Sequence, residues 1–304
     1  MTIADVLVKS QYNFPLAGLT TLKIGGNAEQ AYFPTSSTDV SIIRQHLIKN
    51  KMQVTVIGAG SNLLVSSKGV RGGVILTSNL KNIKFLDEDV VKVDCGVKSA
   101  KLAKFMLEKN LSGLEFLIGI PGSIGGAVTM NSSAHDQSIE QVIQCVEVMD
   151  LVTGDIFTLD KSKLNLGYRY SFVESNKHFI INATFKLKKS TSAYISEKMD
   201  FHVNYRIKNH PPLTEPSAGS TFRNPAPGVY VGKLFEQLGA KGWYEGDAKV
   251  SSKHANFIIN TGNATSLDVS RLMYRMYNAV KAEFNYDLIA EIRFVGDPTE
   301  EEDI

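Results

Sequence analysis

The chain has 304 residues, of which 43% are hydrophobic and 21% charged, with a formal net charge of +2. This is a globular composition, long enough for two or three domains with real cores. No lysine/arginine block marks a nucleic-acid surface, and no apolar run approaches the roughly 20 residues that cross a membrane, so nucleic-acid binding and membrane insertion are excluded.

Met1 to Gln11 lacks a basic start, an apolar core and a cleavage site, which predicts a cytoplasmic protein. Thr38 is placed to cap a helix from Asp39 to Lys49, with Val40, Ile43 and Leu47 on one face. Val54 to Ile57 reads as a buried strand entering a glycine turn, Gly58-Ala59-Gly60-Ser61-Asn62. Val74 to Thr77 is another short strand. In Val90 to Cys95 apolar and polar residues alternate, as on a half-buried strand. A helix follows from Ser99 to Lys109, turning Leu102, Phe105 and Met106 inward. Then comes a second glycine turn, Gly119-Ile120-Pro121-Gly122-Ser123-Ile124-Gly125-Gly126-Ala127.

Val142 to Asp150 and Asp155 to Leu159 predict a hairpin around Thr153-Gly154. Phe179 to Leu187 is a further strand. Polar Lys188 to Ser192 marks the expected domain boundary, and Ala193 to Lys208 a connecting helix. After the breakers Pro211, Pro212 and Pro216, Tyr230 to Leu238 reads as a helix and Asn256 to Asn260 as a strand. Thr265 and Asp268 have capping-box spacing. They open a helix whose stripe of Val269, Leu272, Met273, Met276, Val280 and Phe284 reads as core. Leu288 to Val295 is the last strand, and Glu300 to Asp303 reads as a solvated acidic end. Cys95 and Cys145 lie in apolar strand-like stretches and are expected as reduced core residues. No CxxC or HExxH spacing occurs, so no metal site is expected.

Glycine lets a backbone turn sharply and bring its N–H groups close to a phosphate. Two such turns suit an extended ligand with a diphosphate, such as a dinucleotide; ordinary loop glycines are the bland alternative. Neither turn is a standard motif. Leu63 stands where a Rossmann fingerprint needs glycine, and Gly125-Gly126-Ala127 stands where a P-loop needs Gly-Lys-Ser/Thr. On the last strand Glu291 and Arg293 share one face, which demands a reason if that face is buried, because unpaired buried charge is costly. Arg169, between Tyr168 and Tyr170, has the planar fork that suits a carboxylate or phosphate. Ser217-Ala218-Gly219-Ser220-Thr221-Phe222 is a small-residue run but not a Gly-x-Ser-x-Gly elbow, so a serine hydrolase is not indicated.

In order, these pieces resemble the MurB family, the UDP-N-acetylenolpyruvoylglucosamine reductases of bacterial peptidoglycan synthesis. The matching residues run from Thr20-Thr21-Leu22-Lys23-Ile24-Gly25-Gly26 through both glycine turns with Asn131. They continue through Tyr168-Arg169-Tyr170-Ser171, Ser217 to Phe222 with Asn224-Pro225, and Gly246 to Asn260, to Glu291-Ile292-Arg293-Phe294-Val295-Gly296. The short interval between Arg169 and Ser220 resembles the type II enzymes.

The resemblance implies an α+β and α/β fold. It comprises a two-lobed FAD-binding domain of the vanillyl-alcohol-oxidase type at 1–192, with lobes at 1–78 and 79–192, and a C-terminal α/β substrate domain at 193–304. It implies a monomeric flavoenzyme in which NADPH supplies hydride, through non-covalent FAD, to C3 of the enolpyruvyl group. Ser220 matches the proton donor to C2. Arg169 and Glu291 match the residues that stabilise charge on the substrate carboxylate, with Glu291 protonated. The implied cofactor set is Gly58, Ala59, Gly60, Ser61, Asn62, Gly119, Pro121, Gly122, Ser123, Gly125, Gly126, Ala127, Asn131, Arg206 and Arg293. Asn224, Lys233 and His254 join Arg169, Ser220 and Glu291 as the implied substrate set, and Ser251 and Lys253 are further candidates for the UDP.

The sequence departs from the family at Leu19, where asparagine is usual. It departs again at Ser132-Ser133-Ala134-His135-Asp136-Gln137, where a small-residue run with tyrosine and glycine is usual. His135 reads as a surface-loop histidine. The competing readings are another FAD oxidoreductase of this fold acting on a sugar or alcohol, and a non-catalytic nucleotide-binding module.

Overall fold

The computed structural model describes residues 10–173 and 177–297. The acidic run Glu300 to Asp303 and all but the last residues of Met1 to Gln11 lie outside them. The chain forms two compact units, each built from separated segments. Unit 1 takes Met1–Tyr12, Gln30–Ala59 and Gly72–Arg206; unit 2 takes Asn13–Glu29, Gly60–Arg71 and Ile207–Ile304. These compact units are drawn differently from the expected domains at 1–192 and 193–304. Lys188–Lys189 is no linker: it pairs antiparallel with Leu111–Ser112. The helix that follows, Ser192–Asn209, belongs to unit 1 up to Arg206. The early segments join unit 2 because Leu22, Ile24 and Leu64 find their burial in its core.

In unit 1 a five-stranded sheet runs in the order Ile156–Asp160, Ile143–Asp150, His178–Lys186, Val90–Asp94, Ile83–Phe85. The hairpin expected around Thr153-Gly154 is present, with Val148 opposite Phe157. Val91, Val93, Val146, Val148, Phe179 and Phe185 are buried with Leu102 and Met106 of the helix Ser99–Glu108. The strand Val54–Ile57 pairs in parallel with the end of Val70–Leu76 and feeds the first glycine turn. The first helix, Ser37–Lys49, is capped by Ser36 rather than Thr38. Ser36 Oγ accepts from the Asp39 N–H at 3.1 Å, while the Asp39 carboxylate accepts from the N–H and hydroxyl of Thr35. The aspartate therefore selects the serine three residues before it as the cap. Cys95 is buried as expected, but Cys145 is only half-buried.

Unit 2 holds a four-stranded antiparallel sheet in the order Ser217–Ser220, Phe257–Asn260, Ala248–Val250, Tyr244–Glu245. The helix Ser266–Phe284 opens on the expected box: Thr265 and Asp268 satisfy each other's backbone N–H groups. Its Val269, Leu272, Met276 and Val280 are fully buried against Phe235, Val250 and Ile258.

The expected strand Leu288 to Val295 shortens to Arg293–Val295, which pairs in parallel with Leu63–Val65. Its predicted alternation fails. Leu288 and Ile292 are buried, but Phe294 is exposed. The segment first lies along Arg223, whose N–H donates to the Ile289 carbonyl. It then bends at Glu291–Ile292 to reach its second partner, and the bend resets which face is inward.

Candidate active site

In unit 1 the two glycine turns meet. A Cβ on Gly58 would stand 2.5 Å from Ser123 Oγ, and one on Gly125 would stand 3.0 Å from the Cβ of Cys95. Gly122 is held by its carbonyl, which accepts from the Ser99 N–H at 3.0 Å. Ser123 precedes the short helix Ile124–Thr129 but spends no side-chain bond on capping it. The result is a close approach of the two turns that a side chain at either glycine would block, at turns the sequence marked by glycine. Arg206 lies beside it: Nη1 donates to the Gly119 carbonyl at 3.3 Å, and burial lowers the guanidinium's proton affinity.

Arg169 sits at the tip of a tight turn. Gly167 and Tyr170 exchange both backbone hydrogen bonds, and Arg169 holds φ +56°, a strained value for a side chain with Cβ. Asn131 pins the turn, donating from Nδ2 to the Gly167 carbonyl at 3.0 Å while its Oδ1 accepts from the Glu140 N–H. Asn131 is thus engaged as a scaffold for Arg169. Ser171 adds a bond from Oγ to the Thr129 carbonyl. The guanidinium lies 5.3 Å from the Tyr168 ring centroid and donates from Nη1 to Ser133 Oγ at 2.9 Å.

Unit 2 brings Ser220 and Glu291 to adjacent segments. Gly219, at φ +84°, sits in a bulge of the strand Ser217–Ser220, which re-aims the residues after it. The next residue, Thr221, gives its carbonyl to the Glu291 N–H at 2.8 Å and takes the Asn256 carbonyl on its own N–H. The buried Asn256 side chain clamps Phe222, accepting from its N–H at 3.0 Å and donating to its carbonyl at 2.8 Å.

The far half of the first turn joins the same place. Asn62 Nδ2 donates to the Glu291 carbonyl at 2.9 Å, and the Arg293 N–H donates to the Asn62 carbonyl. Gly60, at φ +63°, would bring a Cβ to 2.3 Å from the Leu19 carbonyl oxygen. Thus what matters at position 19 here is backbone. Burial and the neighbouring Arg223 lower the Arg293 guanidinium's proton affinity, and the buried Nε of Arg223 has no hydrogen-bond partner among the described residues. Two close, partly desolvated cations are a place for an anion. The glycine turns of unit 1, with Arg206 beside them, fit a bound dinucleotide diphosphate.

Asn224, Lys233 and His254 gather around the helix Val231–Gln237. Asn224 Oδ1 accepts from the Val231 N–H, Lys233 Nζ stands 5.2 Å from the exposed Tyr230 ring, and His254 packs on Gly232. Burial keeps the His254 imidazole below its usual range, and its Nδ1 accepts from the Asn256 N–H. Lys253 turns away, donating to the Ile207 carbonyl, and Ser251 is buried. Sequence reasoning missed the supports: Ser133, Asn256 and Thr221. The polar Ser133 in a loop beside the second glycine turn was the available signal for one of them.

Two family models match the chain: an FAD binding domain over residues 28–160, and the UDP-N-acetylenolpyruvoylglucosamine reductase C-terminal domain over 211–295. The chain is 38% identical over 289 residues to the UDP-N-acetylenolpyruvoylglucosamine reductase of Caldanaerobacter subterraneus subsp. tengcongensis, covering 95% of this chain and 94% of that protein. It is 39% identical to the Bacillus pumilus reductase, covering 94% and 93%. The crystal structure of the Thermus caldophilus reductase (MurB) superposes with a TM-score of 0.79 at 30% identity, covering 94% of this chain and 98% of that one. With both domain models in place and relatives this close over nearly the whole length, the chain belongs to the UDP-N-acetylenolpyruvoylglucosamine reductase family.

Proposed function

We propose that this protein reduces UDP-N-acetylglucosamine enolpyruvate to UDP-N-acetylmuramate with NADPH, and that Ser220, Arg169 and Glu291 carry the chemistry at the substrate. FAD, when bound, supplies the hydride chemistry between NADPH and C3 of the enolpyruvyl group. Gly58, Ser123, Gly125 and Arg206 are the residues to hold it, and Asn62 and Arg293 are further candidates that the family resemblance implies. Addition of hydride at C3 leaves an electron pair shared between C2 and the carboxylate. Arg169 offers that carboxylate a planar pair of N–H donors, and a protonated Glu291 adds a further donor. Preorganised donors aimed at developing charge are the large catalytic term. Ser220 Oγ–H then gives its proton to C2, completing the lactyl ether, and recovers a proton from solvent.

The observation that carries this reading is the bond between the Thr221 carbonyl and the Glu291 N–H. It sets the proposed acid and the proposed carboxylate donor on neighbouring segments, though 71 positions separate Ser220 from Glu291 in the chain. Asn224, Lys233 and His254 are assigned to the nucleotide-sugar end. No helix among the described residues is long and apolar enough to cross a membrane; a cytoplasmic monomer is the accompanying assignment.

The test is stopped-flow measurement of both half-reactions. Ser220→Ala should accept hydride from NADPH at nearly the parent rate but reoxidise with the sugar roughly 10²–10⁴-fold more slowly. Ser220→Cys should retain part of the rate. Sugar reoxidation at the parent rate in Ser220→Ala would remove the assignment.

A further inference from the structure

The hairpin formed by Ser133–Ala134 and Gln137–Ser138 has no part in the roles above, yet three of its side chains reach out of it. Ser133 Oγ accepts from Arg169 Nη1 at 2.9 Å. His135, at φ +49°, sets its ring 5.0 Å from Phe201 and 4.3 Å from Tyr205 on the helix Ser192–Asn209. Its Nδ1 stands 3.1 Å from Nδ1 of the buried His202. Gln137 joins His202 Nε2 through Oε1 at 2.9 Å and Glu115 Oε2 through Nε2 at 3.4 Å.

The proton directions follow from the end of this chain. Glu115 is buried and accepts from the Ser112 hydroxyl and the Gly113 N–H. Gln137 therefore donates to Glu115 and presents its oxygen to His202. His202 must carry its hydrogen on Nε2, which leaves a lone pair on Nδ1. His135 Nδ1–H is then the donor to it. This link exists only while His202 is neutral.

We infer that Ser133 is a positioning residue for Arg169, and that the neutral His135–His202 link is the latch that keeps the hairpin, and so Ser133, in place. This rests on the role proposed for Arg169 at the substrate carboxylate. The φ +56° turn and Asn131 fix the arginine backbone. Tyr168 covers one side of the guanidinium, and Ser133 sets its rotation. The Ser133 bond narrows the rotamers open to this long side chain, and a fork needs one.

Burial first, and then His135, lowers the His202 pKa; Glu115 acts the other way, and the Lys198 charge lowers it further. His135 itself faces Tyr205 and has Asp136 beside it in the chain, and Arg206 lies farther along the helix. His202 is therefore neutral near pH 7 and the latch is closed. As pH falls through its lowered value, a proton on Nδ1 removes the acceptor and sets two N–H groups against each other. Protein stability follows the same sign: the contribution is present above the ordinary histidine value near 6.5 and is lost as pH falls below it.

The experiment uses the FAD-loaded enzyme and measures both half-reactions between about pH 5 and 8. Ser133→Ala should slow reoxidation by the sugar about tenfold while leaving reduction by NADPH within about twofold, the scale of one hydrogen bond to a charged group. Ser133→Thr should recover most of the loss. The parent should show an acid limb in the sugar half-reaction that the NADPH half-reaction lacks, and His135→Phe, which keeps the ring packing, should lose that limb. Independently of turnover, the His202 imidazole C2–H resonance should titrate below the ordinary range in the parent and move toward it in His135→Phe. A parent-like Ser133→Ala, or an acid limb that persists in His135→Phe, overturns the inference. Arg169→Ala in the same assay separates the two readings. If it abolishes the sugar step while Ser133→Ala does not slow it, only the positioning role fails; if Arg169→Ala is itself parent-like, both fail.

Discussion

Asn256→Asp puts a carboxyl group in the shape of the amide that clamps Phe222. In the parent the side chain accepts from the Phe222 N–H and donates to the Phe222 carbonyl, in a site only 4% exposed. A protonated aspartic acid reproduces both bonds: its carbonyl oxygen accepts and its hydroxyl donates. An aspartate cannot donate, so ionisation leaves the Phe222 carbonyl facing a buried negative charge. The folded state therefore raises the pKa of the new carboxyl above the unfolded value of about 3.9. The variant should match the parent below that value. It should then lose about 1.4 kcal/mol per pH unit until pH reaches the folded-state pKa. If that pKa exceeds 7, the loss at pH 7 is about 4 kcal/mol. Trp243, the single tryptophan, packs on the core of unit 2 and reports that unit alone. Urea unfolding followed by its fluorescence should show parent and variant converging in acid and diverging toward neutrality. Asn256→Ala is the control, with a loss independent of pH and about 1–3 kcal/mol for each Phe222 group left unpaired. A parent-to-variant gap that is the same at pH 5 and pH 8 would refute the desolvated clamp.

Thr221→Val should raise the stability read from the same urea unfolding by about 1 kcal/mol, because the Thr221 hydroxyl is fully buried without a partner among the described residues and valine keeps its branched shape; lower stability would mean that the hydroxyl is bonded. Gly60→Ala places a Cβ on a residue at φ +63° and 2.3 Å from the Leu19 carbonyl oxygen. It should cost at least about 1–2 kcal/mol and weaken retention of FAD during gel filtration; unchanged FAD retention would refute the close-packed turn. Arg169→Lys and Glu291→Gln should impair sugar reduction more than flavin reduction, the glutamine less than Glu291→Ala because it still donates. Equal loss in both half-reactions would indicate damage to the fold or cofactor site instead.

What the residues disclosed on their own was largely local. The strand Val54–Ile57, the hairpin about Gly154, the capping box at Thr265 and the helix stripe from Val269 to Val280 are each written in a run of neighbours, and each is where periodicity put it. What was hidden is non-local. Nothing near Leu22 or Leu64 announces that their burial lies with residues some two hundred positions farther along. The bend at Glu291–Ile292 was missed because it is imposed by two successive partners, Arg223 and Asn62, rather than by any glycine or proline at the bend. Of the site, glycine and charge were legible because their use shows in composition. Supports such as Asn256 were not, since an asparagine that clamps a backbone looks the same in sequence as one that faces water.

The parallel pairing of Leu63–Val65 with Arg293–Val295 also bears on how the protein is made. A ribosome adds about 5–20 residues per second. Residue 65 must therefore wait on the order of ten seconds or more for its partner to be synthesised. During that wait Leu22, Ile24 and Leu64 have no core of their own to enter. Unit 2 can close only after residue 295 has been made, whereas all of unit 1 has by then been translated. Expression should accordingly be sensitive to chaperone supply and to truncation that removes Arg293–Val295. A fragment starting at the proline-rich loop, although it spans the C-terminal family match, would lack a strand partner and three core side chains and should not fold alone.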